Sequence, residues 1–209
     1  MTKLINKPCE PKPMKKKQLQ VVVTGGPGGG KTTALDLFRR ELGHQIAVVP
    51  EAATVLFSGG ITRSEDEQVL KLVQKTIFQL QKNVEEIHKA QFPDRLLVCD
   101  RGSLDGLAYW PGSESEFFSE VNSTFEDEIA RYDAVIFFES AGASGHDISS
   151  NNPVRNESSQ QAAQLDKKLQ KVWSRHPHFY FVGSSESFIR KIMFGIMTIE
   201  NVINQYQRG

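Results

Sequence analysis

Apolar residues along this chain alternate between two periodicities. Short, nearly unbroken apolar runs occur at residues 19–24, 46–49, 96–99, 134–138 and 179–182. Runs of that length without polar alternation predict strands buried on both faces, as at the centre of a parallel sheet. Between them the apolar spacing lengthens to three and four. Residues 32–42 put Leu35, Phe38 and Leu42 on one helical face, with Gly43 at the end. Ser64-Glu65-Asp66-Glu67 reads as a capping box. It opens a long helix whose apolar face runs Val69, Val73, Ile77, Leu80, Val84 and Ile87, closed by Pro93. Residues 117–131 predict one helix with Phe118, Val121, Phe125 and Ile129 inward. Residues 159–175 predict a helix bearing Ala162, Leu165, Leu169, Val172 and Trp173. Residues 187–207 predict the last helix, with Phe188, Ile192, Ile196, Ile199 and Ile203 inward. Strands alternating with helices predict an α/β fold, a parallel sheet with helices on both faces.

Residues 139–157 carry neither periodicity and are rich in Gly, Ser and Asn. A loop of that length within a compact domain is usually functional, and a lid is the expectation. No internal repeat is visible. The expected organisation is a tail at residues 1–17 and one domain over residues 18–209.

Charge changes the picture little. Lys plus Arg and Asp plus Glu both number 25, so the net charge is zero. That balance gives no support for a nucleic-acid or membrane-surface partner. The tail differs: Lys3, Lys7, Lys12, Lys15, Lys16 and Lys17 sit beside Pro8, Pro11 and Pro13. It reads as a solvated segment, or as a contact for an anionic partner. No apolar segment follows these lysines as in a secretory signal, and no apolar run spans a membrane. Cys9 and Cys99 are the only cysteines, which fits a reducing cytoplasm.

The chemistry begins after the first strand. Gly25-Gly26-Pro27-Gly28-Gly29-Gly30-Lys31-Thr32 matches the phosphate-binding P-loop, between a buried strand and a helix as that motif requires. Gly25, Gly28, Gly29 and Gly30 allow successive N–H groups to converge on an anion, and the helix adds its positive end. Lys31 is expected on the β- and γ-phosphates and Thr32 on Mg²⁺, with Gly26, Pro27 and Thr33 completing the nucleotide-binding segment. ATP or another nucleoside triphosphate is the expected ligand. The only Asn-Lys pair, Asn6-Lys7, is not part of a guanine-reading signature.

In a parallel sheet the C-terminal ends of the strands open onto one edge, where ligands bind. Glu51 follows the second strand and Asp100-Arg101 the third. Asp100 stands where a P-loop enzyme places its metal-holding acid. The next residue is Arg101 rather than a water-activating Glu. An arginine clamps phosphate or substrate, which favours transfer over hydrolysis; a salt bridge to Asp105 or Glu51 is the plainer reading. Glu51 is then the candidate base for an acceptor hydroxyl. Asp105 and Tyr109 share a face if residues 103 onward are helical, and could line an acceptor pocket; Trp110 reads as packing. Arg155, the one basic residue of the expected lid, is the candidate to deliver charge on closure; a surface arginine pairing with Glu157 is the equal alternative. Gly183, Ser184 and Ser185 could seat a base.

These motifs, with Val49-Pro50-Glu51-Ala52-Ala53 and Asp100-Arg101-Gly102 followed by Asp105 and Ala108-Tyr109, resemble one family of small P-loop domains. It is the AAA-domain family that groups the ribosylnicotinamide-kinase half of a bacterial NAD-biosynthesis regulator with the N-terminal domain of a photoreceptor-channel trafficking protein. The resemblance covers residue 18 to the last helix. It implies a P-loop NTPase three-layer sandwich with a five-stranded parallel sheet in the kinase-like order 2-3-1-4-5. It also implies a small-molecule kinase, with Glu51 and Asp100-Arg101 matching the acids and arginine of deoxynucleoside kinases. Several lid arginines of those kinases have no counterpart here beyond Arg155. The resulting expectation is a cytoplasmic, Mg²⁺- and ATP-dependent phosphotransferase acting on a nucleoside-like or phosphorylated metabolite. A nucleotide-dependent switch is the alternative and an ATP hydrolase the third reading.

Overall fold

The structure, a computed structural model, describes residues 17–140, 159–184 and 187–208. Its centre is β1 (Gln20–Thr24), the fully buried Gln-Val-Val-Val-Thr segment. On one side β1 pairs in parallel with β3 (Leu96–Asp100), which pairs with β2 (Ile46–Val49). On the other it pairs with β4 (Ala134–Phe138), which pairs with β5 (Phe179–Val182). The five-stranded sheet therefore runs β2-β3-β1-β4-β5, the order the resemblance implies.

Alternate residues of each strand feed opposite cores. Val21, Val23, Ile136 and Phe138 pack with α1 (Lys31–Leu42) and α8 (Phe188–Arg208), through Leu35, Phe38, Ile192 and Ile199. Val22, Leu97, Cys99 and Val135 face the other way. They meet Phe78 of α3 (Glu67–Gln91), Phe117 of α5 (Glu114–Val121), Phe125 of α6 (Phe125–Ile129) and Trp173 of α7 (Ser159–Trp173). Two short helices, α2 (Ala52–Ser58) and α4 (Gly106–Tyr109), follow β2 and β3. A 3₁₀ turn, Ser103–Asp105, leads into α4.

Three local expectations are corrected. The long helix is capped by Asp66, whose side chain accepts from the Val69 N–H at 3.0 Å; Ser64 Oγ accepts from Asp66 N at 3.1 Å, outside the helix. Residues 117–131 form two helices, because Asn122 turns left-handed (φ 51°) and Thr124 recaps the chain by accepting from Asp127 N at 3.1 Å. Phe188 begins α8 at 42% exposure rather than in the core.

Helix α3 departs most from its pattern. Its buried stripe is Gln74, Phe78, Gln81 and Glu85, while Val69 and Ile87 are exposed. The polar members of that stripe have partners from Gln81 onward. Glu85 accepts from Gln81 Nε2 at 2.9 Å and from Tyr132 Oη at 3.0 Å, and pairs with Arg131. The apolar positions Val69, Val73 and Ile77 line an open cleft instead of the core.

Candidate functional site

The P-loop takes its shape from two glycines in particular. Gly25 adopts φ +130°, and a Cβ there would lie 2.0 Å from the Phe138 carbonyl oxygen, so no side chain fits. Gly30 adopts φ 84°, a left-handed residue that turns the loop into α1. Lys31 is 94% buried, its relative exposure being 6%, and its Nζ donates to the Gly26 carbonyl at 2.7 Å. Thr32 and Thr33 are exposed at the first turn of α1. Asp100 ends β3 directly beside Val23, so it stands at the same sheet edge as the loop.

Sequence reasoning missed Asp166 of α7. Its Oδ1 accepts from the Gly26 N–H at 2.7 Å and from Ser140 N at 3.1 Å, tying α7 to the P-loop and to the end of β4. Burial raises its pKa, against the opposing pull of the two N–H groups and of Lys31. The signal was an acid one residue from Leu165 on a helix face that is otherwise apolar.

Beside the loop, Arg101 joins two acids. Its Nε donates to Glu51 Oε1 at 2.5 Å and its Nη1 to Asp105 Oδ2 at 2.7 Å. Both pairs are buried, with side-chain exposures of 5%, 10% and 7% for Arg101, Glu51 and Asp105. Burial works against the guanidinium charge, but Tyr109, Glu51 and Asp105 outweigh it and hold Arg101 ionised. Arg101 also adopts φ 69°, a left-handed conformation that costs a non-glycine residue about 1–3 kcal/mol. Gln81 Nε2 fixes that turn by donating to the Arg101 carbonyl at 3.3 Å. One donor, Arg101 Nη2, is buried with no hydrogen-bond partner among the described residues.

Asp105 is the hinge of this arrangement. Besides Arg101, it accepts from Thr24 Oγ1 at 2.9 Å and from the Trp173 indole N–H at 2.8 Å. Glu51 sits at the start of α2, and its Oε2 accepts from Thr54 Oγ1 at 2.5 Å. Glu51, Arg101, Asp105 and Tyr109 all line one cleft of about 120 Å³. Its apolar wall comes from Phe57, Leu70, Val73 and Ile77, with Gln74 set among them. The turn through residues 103–109 is helical, so Asp105 and Tyr109 do share a face. Trp110 packs edge-on against Phe117 at 5.3 Å. Ser184 N and Oγ both donate to Glu139 Oε2, each at 2.7 Å. Arg155, Ser185, Cys9 and most of the expected lid lie outside the described residues.

Thr32 and Asp100 offer hard oxygen donors at the phosphate edge, which suits Mg²⁺, an ion that binds through one or two side chains, substrate phosphates and water. Among the described residues no cluster of three or more His, Cys, Asp and Glu side chains is arranged to hold a metal ion by itself. Among the same residues no helix is long and apolar enough to cross a membrane.

Comparison with known proteins agrees with this geometry. No curated protein matches the chain in sequence. Among solved structures, thymidylate kinase from Ehrlichia chaffeensis is similar at a TM-score of 0.58 and 14% identity, over 88% of this chain and 98% of that one. At that identity the likeness is one of fold, the P-loop kinase fold. A family model described as an AAA domain matches residues 20–190, from β1 to the start of α8. The chain therefore belongs to this AAA-domain family of P-loop proteins.

Proposed function

We propose that this protein is an ATP- and Mg²⁺-dependent phosphotransferase that phosphorylates a hydroxyl of a small nucleoside-like or phosphorylated metabolite. The observation that carries the reading is Arg101, held by Glu51 and Asp105 in a cleft beside the P-loop, with a buried guanidinium N–H left without a partner. A buried orphan donor costs about 1–3 kcal/mol, so a site that keeps one gains from an oxygen arriving with the ligand.

The P-loop backbone, with Lys31, binds the triphosphate. Thr32 and Asp100 would hold Mg²⁺, which would supply neutralisation of the phosphate charge. The acceptor enters the cleft lined by Tyr109 and Asp105, and its hydroxyl meets Glu51. Its oxygen attacks the γ-phosphorus, the bond to the β–γ bridging oxygen breaks, ADP leaves, and the hydroxyl proton passes to Glu51. Arg101 Nη2 stabilises charge on the transferring group or the acceptor oxygen.

The test is ADP formation from MgATP with and without a metabolite panel. Acceptor-dependent ADP supports the kinase. Tight ATP binding with slow turnover that no acceptor changes would replace this reading with a nucleotide-dependent switch.

A further inference from the structure

Helix α8 carries apolar residues on its outer side as well as its inner one. Inward, Ile192, Ile199 and Val202 are buried, and Gly195 lets α1 approach closely: a Cβ there would lie 2.3 Å from Phe38 Cζ. Outward, Ile189, Met193 and Met197 are 71%, 57% and 58% exposed. Their spacing of four places them in one ridge along the helix. Phe188, at the start of α8, has a different place: its ring lies 3.2 Å from where a Cβ on Gly30 of the P-loop would stand. None of the three ridge residues lines the acceptor cleft. Single exposed apolar residues are ordinary on a protein surface, whereas a continuous apolar ridge marks a contact surface. Methionine suits such a surface, being flexible and polarisable.

The charges beside the ridge say what covers it. Arg190 and Glu200, both exposed, stand five residues before and five residues after Gly195. Met193 and Met197 stand two before and two after. A second α8 laid antiparallel on the first, with the two-fold axis at Gly195, brings each member of this set level with its complement. Met193 comes level with Met197 of the partner subunit, and Arg190 with Glu200 of the partner subunit; the symmetry repeats both pairs. A parallel pairing in register would set arginine against arginine and glutamate against glutamate. Rows of side chains four residues apart are those that interdigitate when two helices pack.

We propose that the outward face of α8 is a homodimer interface, formed by antiparallel α8 helices from two copies of this chain with Arg190 and Glu200 as reciprocal ion pairs. The proposal is independent of the phosphotransferase reading. One helix pair makes a small interface, so the dimer is reversible. The ion pairs at its rim add little affinity and fix the direction in which the helices meet.

Sedimentation velocity of the full chain over about 1–100 µM tests it, the range expected of a small interface. The chain should pass from monomer to dimer. Met193→Glu should stay monomeric while keeping the circular-dichroism spectrum of the parent, since residue 193 is exposed. Arg190→Glu alone, and Glu200→Arg alone, should each weaken the dimer about tenfold, because each sets like charges against each other. An equimolar mixture of these two variants should dimerise again, since each then presents the complement of the other. A role in the fold of the single chain would not produce that rescue, and the mixing experiment stands even if Met193→Glu does not fold. A chain that stays monomeric throughout, including one that binds anionic phospholipid vesicles as a monomer, overturns the proposal. So does a dimer that Met193→Glu leaves intact, or a pair of charge variants that mixing does not rescue.

Discussion

The carboxylate of Asp105 accepts a hydrogen bond from the indole N–H of Trp173, 68 residues away, at 2.8 Å. That bond joins α7 to the strand ends on which the nucleotide and acceptor sites stand. The same carboxylate holds Thr24 at the mouth of the P-loop and Arg101 at the end of β3. Asp105 is thus a positioning residue as well as part of the cleft wall.

Removing it leaves a buried guanidinium and a buried indole N–H without their acceptor. Asp105→Ala is expected to destabilise the protein by about 3–5 kcal/mol, the range for breaking one side of a buried ion pair. Denaturant unfolding is the measurement. A loss under about 1 kcal/mol would show that water takes over these bonds.

Glu51 and Asp100 should separate by role. Glu51→Gln is expected to keep ATP affinity and lower transfer by about 10²-fold or more, as for a lost general base. Asp100→Asn should instead raise the Mg²⁺ concentration needed for half-maximal nucleotide binding. Titrations of both variants with ATP and Mg²⁺ decide the matter; identical effects on ATP affinity with none on turnover would undo the assignment.

The P-loop is constrained by its backbone as much as by Lys31. Lys31→Ala should weaken MgATP about tenfold to a hundredfold, the loss of charge-assisted bonds. Gly25→Ala should do more, because its Cβ would meet the Phe138 carbonyl at 2.0 Å and its φ is +130°. A cost of about 2–5 kcal/mol in stability is expected, combining backbone strain with overpacking. Wild-type melting in Gly25→Ala would mean that the loop relaxes freely.

A pH dependence follows from His176. Its Nδ1 accepts from His178 N at 3.0 Å, so its Nε2 carries the proton and donates to the Tyr132 carbonyl at 2.9 Å. Burial lowers its pKa below the usual 6.5. The unfolded chain then takes up a proton near pH 6.5 that the folded chain refuses until lower pH. The stability contribution is present above about pH 6.5 and lost as pH falls through the folded value. Thermal melts from pH 5 to 7.5 should show this slope in the parent and a flatter one in His176→Gln.

The sequence determined the five strands, the P-loop and the long helices α1, α3, α7 and α8, because these rest on local signals. Five apolar runs marked the strands, and Gly25 to Thr32 carry their geometry in their own backbone. Glu51 and Arg101 were legible as neighbours at one sheet edge because parallel strands deliver their ends to one side. Tertiary structure alone decided what those ends do to each other. The pairing of Arg101 with both acids, and the reach of Trp173 and Asp166 to residues 68 and 140 positions away, depend on how α7 packs. The helix α3 shows the reason most clearly. Its spacing of Val69, Val73 and Ile77 marks an apolar face, but periodicity does not state whether that face meets a core or a ligand cleft. Only the position of β3, α2 and the 103–109 turn across from it turned that face outward to the cleft and buried Gln74, Gln81 and Glu85 in its place.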